Sequence, residues 1–150
     1  MSKTFKIFTC GSCCNHYDNL DWRRKIEVML RRSTDKDLSF AHPPYYSEYV
    51  ISSDLHGLSS KDHLIWEQSN IQDSDIVIVN TDGINDSATC FTELAFQLGF
   101  IAGLNRLGKN ITVIGFGESK IDHPWLSTVF SHTETSMEDA VDYITNLALI

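Results

Sequence analysis

The sequence predicts a single α/β domain: a five-stranded, mainly parallel sheet with helices on both faces, stacked as a three-layer sandwich. Three observations carry that expectation. Apolar runs of strand length alternate with stretches of helical periodicity along the whole chain, a pattern that requires crossover connections and a covered sheet. The clearest strand, Asp75-Ile-Val-Ile-Val-Asn80, is apolar at successive rather than alternate positions, so both of its faces are covered. The length of 150 residues, with 42% hydrophobic and 21% charged, suits one domain with a substantial core.

The elements follow in order. Thr4 to Cys10 is a short apolar run ending in Gly11-Ser12, a buried strand that enters a turn. Asn19 or Asp21 is placed to cap a helix in which Trp22, Ile26, Met29 and Leu30 form one face. Arg23, Arg24, Arg31 and Arg32 are expected to face solvent. Asp37 to Ala41 is a weaker strand ended by Pro43-Pro44, and Tyr45 to Gly57 is irregular and aromatic. Ser59 or Ser60 begins a helix that runs to about Gln72, ahead of the Asp75–Asn80 strand. A polar loop, TDGINDSAT, precedes a long helix from about Cys90 to Leu107 and a fourth strand from Asn110 to Phe116. A short helix near Pro124 to Thr128, an edge strand near Phe130 to Thr133 and a helix from Met137 to Ala148 complete the order. In a flavodoxin-like or Rossmann-like arrangement of such units, ligands bind at the carboxyl ends of the strands where the strand order reverses. Here that crevice lies between the strand ends at Cys10 and Asn80.

Composition excludes some functions. A formal net charge of −8 argues against binding nucleic-acid backbones, although a few local donors can still hold one small anion. Lys3 and Lys6 lead into Ile7, Phe8 and Thr9 rather than the apolar core of a secretory signal. Phe91 to Leu104, the longest apolar stretch, is broken by Thr92, Glu93, Gln97 and two glycines, and is too short and polar to span a bilayer. A cytoplasmic chain without membrane partners is expected. Its cysteines are Cys10, Cys13, Cys14 and Cys90. A disulfide framework is not expected in that compartment, and one C-x-x-C is half of a structural zinc site. No metal and no cofactor is therefore expected, though a redox or metal protein built on CGSCC, with His16 and Cys90 closing the site, stands as an alternative.

Two loops should meet at the crevice. CGSCCNHYD supplies Gly11 for close backbone approach, with Ser12 and Tyr17 as polar contacts. TDGINDSAT supplies Asp82, Asp86 and Ser87. Loops placed by a rigid sheet are where function concentrates, while Asp-Gly and Asn-Asp also serve simply to turn the chain. Glu93 is the most informative residue. It is expected in the first turn of a helix otherwise lined by Phe91, Leu94, Ala95, Phe96, Leu98, Phe100 and Ile101, a helix to be buried in the core or against a second subunit. The helix N-terminus favours its carboxylate and burial disfavours it, a balance suited to a nucleophile or an acid–base group. Glu67 flanks an apolar helix face between Leu64 and Ile71; it is read either as pointing into the crevice or as a solvated edge residue.

With these residues in hand, the sequence resembles the nucleoside 2-deoxyribosyltransferase superfamily, which includes the 2′-deoxynucleoside 5′-phosphate N-hydrolases. The resemblance covers roughly residues 4 to 14 and 62 to 100. It lies in KIFTCGS, in the segment from Glu67 through SDIVIVN, and in DGINDSATCFTELAF. It implies that Glu93 is a nucleophile forming a covalent glycosyl intermediate, and that Glu67 stands where an aspartate helps protonate the leaving base. It implies that Ser87 contacts a 5′-phosphate, with Gly11 and Ser12 in the phosphate loop. Ser127, in HPWLST, matches a residue donated across a dimer interface. Aligning from Asp82 instead favours Asp86 over Ser87 at the substrate. Cys14 stands where the N-hydrolases carry an arginine, and Ala95 where a glycine is usual. The implied reaction is cleavage of the N-glycosidic bond of a nucleoside 5′-monophosphate. Base exchange between nucleosides and a non-catalytic nucleotide sensor are the alternatives. The expected partners are a small nucleoside or nucleotide and a second copy of the chain, in a homodimer or higher oligomer.

Overall fold

The computed structural model describes residues 3–11, 18–43, 60–86 and 88–149, without the side chains of 18–21, 60, 86, 89 and 90. Five strands form one sheet: β1 (Thr4–Gly11), β2 (Asp37–Ala41), β3 (Ile76–Asn80), β4 (Thr112–Phe116) and β5 (His132–Glu134). Their order is β2-β1-β3-β4-β5, and every pairing is parallel. The helices are α1 (Asp18–Ser33), α2 (Ser60–Gln72), α3 (Ala88–Arg106), the short α4 (Pro124–Ser127) and α5 (Met137–Tyr143). The last continues as a π-helical turn, Ile144–Ala148, where the sequence suggests one uninterrupted α-helix.

Strand alternation builds two cores. Ile76 and Ile78 point to one face, where Ile7, Ile26, Leu30, Val141 and Ile144 pack from β1, α1, α5 and its continuation. Val77 and Val79 point to the other, against Phe8, Cys10, Ile71, Leu94, Leu98 and Ile101 from β1, α2 and α3. All five residues of β3 are buried, which explains why its sequence has no polar alternation. Each side chain so covered contributes on the order of 1.5–3 kcal/mol.

The strand order reverses between β1 and β3, and their ends meet in register, Gly11 opposite Asn80. Gly11 has φ of +90°, and a Cβ there would collide with the Asn80 carbonyl oxygen. Glycine is thus required at this strand end by backbone conformation and packing, before any ligand is considered.

Candidate active site

Two helices on the same face of the sheet bring the candidate carboxylates together. Glu67, on α2, is only 8% exposed, which rules out the reading of a solvated edge residue. Its side chain is hydrogen-bonded by Gln97 of α3, and the Glu93 carboxylate, one turn before Gln97, acts on it electrostatically. Burial pushes the Glu67 carboxyl up to about 7; the Gln97 hydrogen bond pulls it down, and the like charge of Glu93 pushes it up again. A carboxyl that titrates near neutrality can hold a proton and release it at working pH, as an acid–base catalyst requires.

Glu93 itself is half-buried. Its helix begins at Ala88, two residues earlier than the sequence suggests, and its first turn carries no acid. Glu93 is therefore in the second turn, where the field of the helix N-terminus has largely decayed. The expectation that the helix terminus steadies this carboxylate is corrected. The residues around it are Glu67 and Gln97 rather than an apolar sheath alone. In the sequence Gln97 reads only as a polar break in the apolar stretch; the signal for a site role was its place one turn after Glu93.

The opposite face of β1 holds a second polar group. Arg23, expected in solvent, is 1% exposed. Its Nε–H donates to Thr9 Oγ1 at 3.2 Å and its Nη2–H to the Gly11 carbonyl at 3.3 Å, while the guanidinium lies 4.6 Å from the Trp22 ring centre. Helical spacing explains the correction: Arg23 precedes Ile26 by three residues and Leu30 by seven, so it shares their buried stripe. Thr9 Oγ1 is also 2.7 Å from His42 Nδ1, and His42 Nε2 is 2.6 Å from Glu27 Oε1. On the α2 and α3 face of β1, burial pushes the Cys10 thiol far above its ordinary value, with Arg23 drawing it down and Glu67 raising it further. A thiol so held is protonated and inert.

The loop after β3 is tied to its neighbour. Thr81 Oγ1 donates to the Ser119 carbonyl at 2.6 Å, Asn85 Nδ2 to that of Lys120 at 2.8 Å, and Asp82 Oδ1 accepts the Glu118 N–H at 2.8 Å. Asn80 Oδ1 caps the turn by accepting the Asp82 N–H at 2.9 Å. Much of the polar density of TDGINDSAT thus shapes the loop, and Asp82 has a structural partner. Ile84, in a 3-10 turn over Ile84–Asp86, anchors the loop in the core.

Ser127 is exposed on α4, donates its hydroxyl to the Pro124 carbonyl at 3.0 Å, and borders a cavity of about 410 Å³ at the carboxyl ends of β4 and β5. Phe116, Ile121 and Phe130 give that cavity apolar walls, and among its described lining residues are neither Glu67 nor Glu93. Ser12, Tyr17, Ser87, Cys13, Cys14 and His16 lie outside the described residues, as do the side chains of Asp86 and Cys90. Among the described residues no group of three or more His, Cys, Asp or Glu is arranged to hold a metal, and no helix is long and apolar enough to cross a membrane.

No protein-family model matches the sequence, and no curated protein matches it. Solved structures do resemble it. A 2-deoxyribosyltransferase from Bacillus psychrosaccharolyticus superimposes with a TM-score of 0.66 at 18% identity, covering 95% of this chain and 93% of the other. A conserved protein from Enterococcus faecalis V583 gives 0.66 at 14% identity, covering 95% and 98%. A 2-deoxyribosyltransferase from Leishmania mexicana gives 0.57 at 17% identity, with the same coverage of 95% and 98%. The chain therefore has the fold that these 2-deoxyribosyltransferases have, over nearly its whole length.

Proposed function

We propose that this chain belongs to the nucleoside 2-deoxyribosyltransferase superfamily and cleaves the N-glycosidic bond of a (deoxy)nucleoside 5′-monophosphate. The observation that carries this reading is the pairing of Glu67 with Glu93 and Gln97, with Glu67 titrating near neutrality. In the first step a Glu93 oxygen bonds to the anomeric carbon, and the bond to the base nitrogen breaks. The bonding pair leaves with the base, which takes its proton from Glu67. Esterification removes the Glu93 charge that raises the Glu67 carboxyl, so the ionised Glu67 becomes easier to keep. It then accepts a proton from the water that attacks the anomeric carbon and frees Glu93. Gly11, Ser12, Tyr17, Asp86, Ser87 and Ser127 are proposed substrate contacts, with Asp82 shaping the loop beside them.

Base exchange is the second reading, supported by the names of two similar structures. It shares the first step and replaces water by a second base. A panel of deoxynucleosides and their monophosphates, incubated with and without a free base, separates the two. Free base alone indicates hydrolysis, and a new nucleoside indicates transfer. Neither product anywhere in the panel, with ligand-induced thermal stabilisation, would instead mark a nucleotide sensor.

The outer face of α3 supports a proposed homodimer. Phe96 is 57% exposed there, and Ile65 of the neighbouring α2 is 50% exposed. Phe96→Glu should shift the sedimentation coefficient toward that of a monomer; a monomeric wild type at micromolar concentration would remove this proposal.

A further inference from the structure

We infer that Arg23 is a positioning residue, held by a one-way hydrogen-bond relay that fixes the carboxyl ends of β1 and β2 beside the proposed site. This inference rests on the reading of the site given above. Donor chemistry sets the direction of the relay. The ionised Glu27 Oε1 can only accept, so the hydrogen of the neutral His42 ring is on Nε2 and Nδ1 is an acceptor. The Thr9 hydroxyl then donates to His42 Nδ1, while its oxygen accepts the Arg23 Nε–H. Glu27 Oε2 accepts from Arg31 Nε–H at 3.0 Å, and Arg31 Nη1–H reaches the Leu38 carbonyl of β2 at 3.1 Å. Burial keeps His42 below its ordinary pKa against the pull of Glu27, in agreement with the neutral form that this chain of donors demands.

Each link has one arrangement in which every donor meets an acceptor. At one end, the Nη2–H of Arg23 holds the Gly11 carbonyl, on the strand-end residue whose backbone is already packed against Asn80. At the other, His42 directly follows β2, and Arg31 holds the carbonyl of Leu38, the second residue of that strand. The guanidinium thus lies behind the strand end rather than across the carboxylate pair, and it acts on substrate through the Gly11 backbone. Gly11 is a proposed substrate contact, so a strand end held from behind in this way sets how well substrate binds.

The experiment has two arms, both on the full chain. In the first, ¹⁵N NMR of labelled histidine at pH 7 should show His42 neutral with hydrogen on Nε2; an Nδ1–H tautomer or a cationic ring overturns the relay. This arm does not depend on the reaction, so an inactive wild type with the expected tautomer would refute the proposed function and leave the relay standing. In the second, Thr9→Val and Thr9→Ser are compared well below their melting temperatures on the best nucleotide of the panel. Thr9→Val should raise KM at least tenfold with kcat within threefold, and Thr9→Ser, which keeps the hydroxyl, should restore the wild-type KM. An unchanged KM in folded Thr9→Val, or equal losses in the Val and Ser variants, would overturn the positioning role.

Discussion

On the α1 side of β1, Arg23, Thr9, His42 and Glu27 lie one beyond another, each donor facing an acceptor. On the α2 and α3 side, reached through the next residue of the same strand, Glu67 is buried beside another carboxylate and its titration is displaced to about 7. Both regions place polar groups out of water. In the first, opposite charges and aligned donors compensate for burial: Glu27 feels burial push its carboxyl up, but hydrogen bonds from His42 and Arg31 hold it below its ordinary value. In the second, the amide hydrogen bond from Gln97 does not offset desolvation and like charge. A compensated polar cluster is built to stay as it is, and an uncompensated one to change its protonation.

The sharpest way to break this comparison is at Glu93. Glu93→Ala should reduce base release or exchange by at least about 1,000-fold, because no other group replaces a nucleophile. Chromatography of the products measures this, and full activity would place the chemistry elsewhere. Glu67→Gln should cost roughly 100- to 10,000-fold in rate, as expected for loss of a general acid. The wild-type rate should also decline as pH rises through about 7, where Glu67 loses its proton.

Stability separates the two regions further. The Glu67 pKa is raised on folding, so the stability associated with its proton is complete below the ordinary carboxyl value and lost as pH rises through about 7. Glu67→Gln should therefore gain stability over the wild type at pH 9, by up to about 3 kcal/mol, with the gain shrinking toward pH 4. Urea unfolding at the two pH values measures it; a variant less stable at both would refute the picture of an uncompensated carboxyl. On the other side, Thr9→Val should lose about 1–3 kcal/mol because it leaves the Arg23 Nε–H and His42 Nδ1 unmatched. His42 and Glu27 both have lowered values, so their contribution is present at neutral pH and falls away as pH drops through those values. The deficit of Thr9→Val should shrink in acid, the smallest of these effects.

The fold was legible because its signals are local. The run IVIVN requires a doubly covered strand, and the alternation of strand and helix requires parallel crossovers; neither depends on distant partners. The reversal between the strand ends at Cys10 and Asn80 came from taking a flavodoxin-like strand order, which the sheet has. The two carboxylates could be named, but their meeting could not, since Glu67 and Glu93 lie on different helices and Glu67 could equally be a solvated edge residue. Arg23 was misread because residue type was weighed above helical position, although its spacing to Ile26 and Leu30 marked it as buried. Its partners Thr9 and Gly11 are 14 and 12 residues away, and nothing local joins them. The polar loop after β3 looked like binding chemistry and proved to be partly architecture, since the acceptors for Thr81 and Asn85, and the N–H that Asp82 holds, come from a segment some 35 residues further on.

The central claim is that Glu93 forms a covalent bond to the sugar while Glu67 delivers the proton. Its most direct test is to mix enzyme with a stoichiometric amount of the best substrate of the panel, quench in acid on the timescale of base release, and map the peptides by mass spectrometry. The account predicts a glycosyl mass added to the peptide containing Glu93, and none when Glu93→Gln is treated in the same way. An adduct on any other residue, or base release retained by Glu93→Gln, would contradict it.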